Sequence, residues 1–377
     1  MIVYYDQMKG HIQPKYFHKN GAKVLTSTIH VFCDVIDNFG DAGFCLRLSR
    51  DLSKKYQVEL FCNNLEVLKK ITNKEDLSLS TLHINCWPDK NDSYQVPDIV
   101  IEAFSCRAPE YLLEKYKKQP PLIIELEYLT AETFADDCHG LASYSDGLAR
   151  YFFFPGFSPK TGGIIFEREL IDTINKHREP NTSKLKHLTL FSYHEANHKA
   201  LIKALNKSCY DFEITLFEGL QLQALNKLLN CNLKVGDSYK LSNITFNVKN
   251  MVSQRQYDEL LASSDFNLVR GEDSIVRAML CGKPFLWNIY PQDEDAHKVK
   301  LQALFTKMRE FLPNIETINQ AESLNLSYNL YGNALDDFDF DNFYESWSQL
   351  SLQWSAHLQS LGSLTENLSV FIENKLK

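Results

Sequence analysis

Two short stretches of the chain combine reactive residue types with a placement that chemistry uses. Residues 37–43 read DNFGDAG and follow directly on IHVFCDVI at 29–36, an apolar, β-branched run that predicts a strand. Asp37 and Asp41 are four residues apart at the carboxyl end of that strand, where open parallel sheets bind their ligands. A carboxylate there can take a proton or hold a cationic group. Gly40 and Gly43 permit a tight turn and close backbone approach, but the G-x-G-x-x-G dinucleotide fingerprint is missing. Asp41 would equally serve to cap the helix that starts here and to meet its dipole. The second stretch, RGEDS at 270–274, again follows a strand-like run and opens a helix. Free N–H groups at a helix start suit a diphosphate. Arg270 would add charge-assisted hydrogen bonds to phosphate, Gly271 lets a ligand approach the backbone, and Glu272 can accept from sugar hydroxyls. Ordinary capping by Asp273 or Ser274 is the plainer alternative; position and composition together favour the anion site.

Two other stretches match metal motifs and are set aside. HEANH at 194–198 is a literal H-E-x-x-H, with Glu218 further on as a nominal third ligand. It begins at a helix start rather than inside an apolar helix. LDDFDFD at 335–341 contains a D-x-D of the kind that elsewhere holds a divalent metal on a diphosphate. No strand precedes it, and it reads as an acidic loop.

The elements that must position the first two stretches occur twice over. After a polar, irregular extension, strands at 29–36, 57–62, 82–87, 98–104 and 122–126 alternate with helices at 44–55 and 109–118. Such alternation predicts a parallel sheet with helices on its faces. The pattern breaks at PGFSPKTGG, 155–163, and HREPNTSK, 177–184, which have loop and linker composition. It restarts with strands at 188–193, 212–217, 244–248, 265–269 and 284–289 and helices at 196–207, 253–262, 273–281 and 293–311. A helical tail carries Trp347, Leu350 and Trp354 close to one face. The expected organisation is an extension (1–28), a first Rossmann-like domain (29–182), a second (183–342) and terminal helices (343–377). The fold class is α/β, two doubly wound halves facing a cleft, a favoured place for pockets.

Composition agrees. Over 377 residues, 44% hydrophobic and 23% charged is ordinary for a globular protein. No run of about 18 apolar residues exists, so no membrane span is expected, and the first residues lack the apolar core of a secretory signal. A cytoplasmic location is the expectation. A net charge of −8, with KYKK at 115–118 as the densest basic run, argues against a nucleic-acid partner. The nine cysteines form no C-x-x-C pair, which removes the zinc-ribbon and dithiol readings and leaves free, buried thiols in a reducing compartment.

VIDNFGDAGFCLRLSRDL, ELEYLTAE, RYFFFPGFSPKTGG, RGEDSIVRA and GKPFLWNIYPQDEDAH occur in this order. Together they resemble the bacterial protein-arginine rhamnosyltransferase family EarP, from about Ile29 to the C-terminus. The resemblance implies a GT-B fold whose last helix crosses back onto the first domain. It implies inverting transfer of L-rhamnose from dTDP-β-L-rhamnose to one arginine of translation elongation factor P, with no metal and no cofactor. It makes Asp41 the general base, Asp37 its companion and Glu272 an essential glutamate. Arg270, Gly271, Asp273 and Ser274 would line the diphosphate and sugar. Phe191 and Tyr193 would stand on the nucleotide side, with Gln254 and Tyr257 near the base. Asn38, Phe39 and Gly40 would touch the donor from the first domain, and Tyr290 joins the set from the IYPQ block. The residues alone leave rivals open: a GT-B enzyme acting on a glycan or lipid, a non-catalytic nucleotide-sugar binder, against which Asp37, Asp41 and Glu272 count, and a zinc hydrolase.

Overall fold

Strands buried on both faces read as unbroken apolar runs, and each half of the chain gathers such runs into one sheet. The computed structural model describes residues 27–35, 40–72, 78–91, 93–194, 196–291 and 295–377. The first sheet holds β1 (Thr28–Cys33), β2 (Gln57–Cys62), β3 (Leu82–Asn85), β4 (Ile99–Ala103), β5 (Leu122–Leu126), β6 (Ala142–Ser145) and β7 (Leu148–Phe153), in the order β3-β2-β1-β4-β5-β7-β6. All its pairings are parallel except the β6–β7 hairpin. The winding reverses between β1 and β4, so the ligand-binding crevice of this sheet opens at their carboxyl ends. The second sheet holds β8 (Leu185–Leu190), β9 (Asp211–Phe217), β10 (Ser238–Leu241), β11 (Ile244–Lys249), β12 (Phe266–Arg270) and β13 (Phe285–Asn288), in the order β10-β11-β9-β8-β12-β13. The α/β expectation of two Rossmann-like halves holds.

The helices are α1 (Gly40–Leu52), α2 (Leu65–Ile71), α3 (Glu110–Lys118), α4 (Thr133–Cys138) and α5 (Arg168–Lys176), then α6 (His198–Leu205), α7 (Leu220–Leu229), α8 (Gln254–Ser263), α9 (Gly271–Leu280), α10 (Ala296–Phe311), α11 (Ile315–Tyr328), α12 (Phe340–Ser360) and α13 (Leu364–Lys375). Of the 13 residues of α1, 11 are buried, far more than one amphipathic face requires. It lies between its own sheet and the second half, touching α9 and α13. One apolar core runs through both halves, from Ile29 to Ile372, and a smaller one around Phe32, Leu112 and Tyr116 fills the other face of the first sheet.

The tail binds the halves a second time. In α12, Trp354 Nε1 donates to Met279 Sδ (3.2 Å) and Ser355 Oγ to the Leu280 carbonyl (2.6 Å) on α9. In α13, the Leu364 N–H donates to the Ile164 carbonyl at 2.8 Å. The Phe371 ring packs against those of Tyr151 and Phe153, and Thr365 Oγ1 donates to Asp51. Among the described residues no helix is long and apolar enough to cross a membrane.

Several elements differ from expectation. The β6–β7 hairpin, β10, α2, α4, α5, α7 and α11 had no counterpart in the pattern. Asp146 and Gly147, both at positive φ (57° and 78°), make the two-residue turn of that hairpin. The strand expected over 98–104 stops at Ala103, because Phe104 and Ser105 adopt left-handed backbone (φ 58° and 60°). Pro109 caps α3 instead of entering it, and α10 begins at Ala296. The expected extension falls almost wholly outside the described residues. All nine cysteines are free, but Cys86 and Cys209 are exposed, so burial does not hold for every thiol.

Candidate active site

A cleft of about 680 Å³ opens between the halves. Its second-half wall is built where β12 runs into α9. Arg270 ends the strand, and Gly271 turns the chain with φ +66°, a conformation glycine adopts without strain. Residues 270–274 line the cleft, placing the first turn of α9, with its unsatisfied N–H groups and positive dipole end, against the space. The Arg270 guanidinium lies 4.3 Å from the Phe191 ring centroid and 4.7 Å from that of Tyr193, and it donates to the Ser192 carbonyl at 3.3 Å. Stacking and this bond fix the plane of the cation. Behind it the rings of Phe191, Phe217 and Tyr257 pack edge to face, 5.8–6.2 Å between centroids, and give the cleft an aromatic wall. Burial pushes the Tyr257 phenol up, so it stays neutral. The Tyr193 N–H is tied to Asn288 Oδ1 (2.7 Å), and Tyr290, more than half exposed, meets the Tyr193 ring at 5.4 Å on the rim.

The first half contributes the head of α1. Gly40 lines the cleft, and Asp41 beside it is 5% exposed. The hydrogen bond with Cys45, then burial, pushes the Cys33 thiol up; for Cys45 that bond pulls down but burial outweighs it, and the Asp41 charge adds to both rises. The Gln254 amide spans the halves: its Nε2 donates to the Gly43 carbonyl (2.9 Å) and its Oε1 accepts from Arg50 Nη2 (2.7 Å). Below lies a buried charge cluster. Arg47, 1% exposed, forks onto Asp258 (2.8 and 2.9 Å) and reaches Asp273 through Nε (3.0 Å). Arg277 Nη2 meets Glu167 Oε2 at 2.6 Å. Burial alone would lower the Arg47 pKa, but Asp258, Asp273 and Glu167 outweigh it and hold the guanidinium charged. Asp273 therefore faces Arg47 rather than standing free for a ligand. Glu272 accepts from the Leu129 N–H through Oε2 (2.9 Å) and from the Lys300 ammonium through Oε1.

A family profile described as elongation-factor P (EF-P) rhamnosyltransferase EarP matches residues 29–373. The chain belongs to the EarP family of protein-arginine rhamnosyltransferases. It is similar to the protein-arginine rhamnosyltransferase of Neisseria meningitidis serogroup B, 31% identical over 92% of this chain and 97% of that one. The Shewanella oneidensis enzyme of the same name is 36% identical over 72% of this chain and 78% of its own. A solved structure described as the basis for EarP-mediated arginine glycosylation of EF-P superposes with a TM-score of 0.62 at 22% identity, covering 93% of this chain and 99% of that one. The fold is GT-B, and the chain is a glycosyltransferase.

Within this chain, Gly40, Phe191, Tyr193, Gln254, Tyr257 and residues 270–274 share one cleft. Asp37, Asn38 and Phe39 lie outside the described residues. Arg47, Phe217, Met251 and Val252 also line the cleft and escaped the sequence reading; an arginine inside a helical pattern looks like a solvated face. In HEANH, Glu195 is outside the described residues and α6 begins only at the second histidine, so the two imidazoles do not share a helix face. His198 is buried, 3.1 Å from Ser192 Oγ, and burial lowers its pKa to about 4. In LDDFDFD, Asp339 caps α12 and Asp341 accepts from Ser208 Oγ and the Cys209 N–H.

The charge cluster predicts an acid limit. Burial would raise the Glu167 pKa, but Arg277, then Arg47 and Arg50, pull it from 4.5 down to about 2. The stabilisation is present above the unfolded value and is lost as the pH falls through the folded one. The urea midpoint should drop between about pH 5 and pH 2, and Glu167→Gln should flatten that drop. An unchanged slope in the variant would assign the acid sensitivity to other carboxylates.

Proposed function

We propose that the chain transfers L-rhamnose from dTDP-β-L-rhamnose to one arginine of elongation factor P, with inversion at the anomeric carbon. The observation that carries this reading is the division of the cleft. The anion cradle, Arg270 with the first turn of α9, lies on one half, and the carboxylate-bearing head of α1 lies on the other. Inversion needs attack from the face opposite the leaving diphosphate, which a two-sided cleft supplies. The thymine base would lie against the Phe191, Phe217 and Tyr257 wall, and the diphosphate would lie on the cradle, whose N–H groups and guanidinium would supply positive charge without calling for a metal.

A guanidinium is a poor nucleophile, because its charge is delocalised and its pKa exceeds about 12. Asp37 and Asp41 would bind it through parallel hydrogen bonds and aim one nitrogen at the sugar. As the C–N bond forms and the C–O bond to the diphosphate breaks, Asp41 takes the proton shed by that nitrogen. Holding both reactants in line can remove roughly 7–11 kcal/mol of barrier in favourable cases. Glu272 would accept from the sugar hydroxyls. A translation-factor acceptor places the reaction in the cytoplasm. Incubating the purified chain with dTDP-β-L-rhamnose and unmodified elongation factor P, followed by intact and fragment masses, should show one added deoxyhexose on one arginine. An unmodified acceptor, from a chain that still binds the donor, would overturn the acceptor assignment.

A further inference from the structure

Both oxygens of Glu272 are engaged, each by a donor from a different element. The Leu129 N–H comes from the first half, in the loop after β5, and Lys300 comes from α10 in the second. The Lys300 ammonium also stands 5.9 Å from the Tyr128 ring centroid, and that ring stacks on Phe104 at 4.6 Å. Phe104 is where the backbone turns left-handed at the end of β4, beside the point where the first sheet reverses its winding. Lys300 thus pairs with the cleft carboxylate and stands beside a ring of the first half. Its side chain is 18% exposed and that of Glu272 24%, which separates this pair from the freely solvated ion pairs that contribute little.

We propose that Lys300 is a positioning residue for Glu272. A carboxylate offers about four lone-pair sites. Lys300 and the Leu129 amide occupy one on each oxygen and fix the plane of the group. The remaining sites point to a hydroxylated ligand in one orientation. Because one anchor is in each half, the orientation is complete only when the cleft is closed. Lys300 acts through Glu272 and makes no contact of its own with the reacting atoms. The inference rests on reading Glu272 as the acceptor for the donor's sugar hydroxyls.

A double-mutant cycle on the full chain tests it. Lys300→Met should lower kcat about 10–100-fold, the range for loss of a charge-assisted hydrogen bond, while the melting temperature stays within about 2 °C. In a Glu272→Gln background the same change should cost less than about twofold. Lys300→Arg should recover most of the lost rate. Losses that simply multiply would overturn the proposal, since Lys300 would then act independently, and so would failure of Lys300→Arg to recover any rate. If the wild-type chain binds dTDP-β-L-rhamnose but leaves elongation factor P unmodified, the acceptor reading fails alone. The cycle is then read on calorimetric donor affinity, where the same non-additivity is expected and additivity overturns the proposal. No donor binding by the wild type would overturn both.

Discussion

Asp41→Asn should cut rhamnosyl transfer by at least about 100-fold and up to about 10,000-fold, the range for losing a general base. Donor affinity should stay within about threefold, because the proposed diphosphate cradle, Arg270 with the first turn of α9, belongs to the other half. Asparagine preserves the shape of the side chain and can still hydrogen-bond a guanidinium, but it cannot take a proton. The substitution therefore separates holding the acceptor from activating it. Asp41 sits in the first turn of α1 next to Gly40, which lines the cleft. Calorimetric titration with the nucleotide sugar and single-turnover masses of the acceptor make the two measurements. Near-normal turnover would remove Asp41 from the base role. Equal loss of donor binding would make it a structural residue at the head of α1.

Arg47→Met should be the most damaging change outside the chemistry. It leaves the buried Asp258 and the nearly buried Asp273 without the guanidinium bonded to them, while Glu167 keeps Arg277 at 2.6 Å. Breaking a buried ion pair from one side costs about 3–5 kcal/mol, against a typical domain stability of about 5–15 kcal/mol. The links lost run between the halves, from α1 to α8 and α9, so donor affinity should fall with stability. Arg47→Lys keeps the charge but not the fork and should lie between. Urea midpoints and donor titrations of the three proteins check this, and an Arg47→Met midpoint equal to wild type would deny the cluster any stabilising role.

How far the fold could be read depended on how local its cause is. The strands β1, β4, β5 and β12 are buried on both faces and announce themselves as largely apolar runs. The hairpin of β6 and β7 mixes exposed with buried positions, as in Tyr144 and Leu148. Its Asp146–Gly147 turn is a hairpin signal in the sequence, but a hairpin has no place in a strand–helix alternation. The same distinction governs the site. RGEDS is legible because a strand end, a glycine and a helix start are neighbours in sequence. Arg47 is not, because Asp258 and Asp273 lie 211 and 226 residues away and nothing beside it marks it as buried. Asp273 and Gln254 show the cost of that gap. Both line the cleft as expected, yet their polar atoms are taken up by the opposite half.

The last helix sets an order on synthesis. A chain emerging from the ribosome completes both sheets before α13 exists. Until Leu364–Lys375 is made, the rings of Tyr151 and Phe153 and the Ile164 carbonyl lack their partners. Domains made first usually finish folding first, but here the half that is translated first is sealed last. Synthesis that halts before Leu364–Lys375 would leave the second half assembled and the first half still sticky, a species for chaperones to hold.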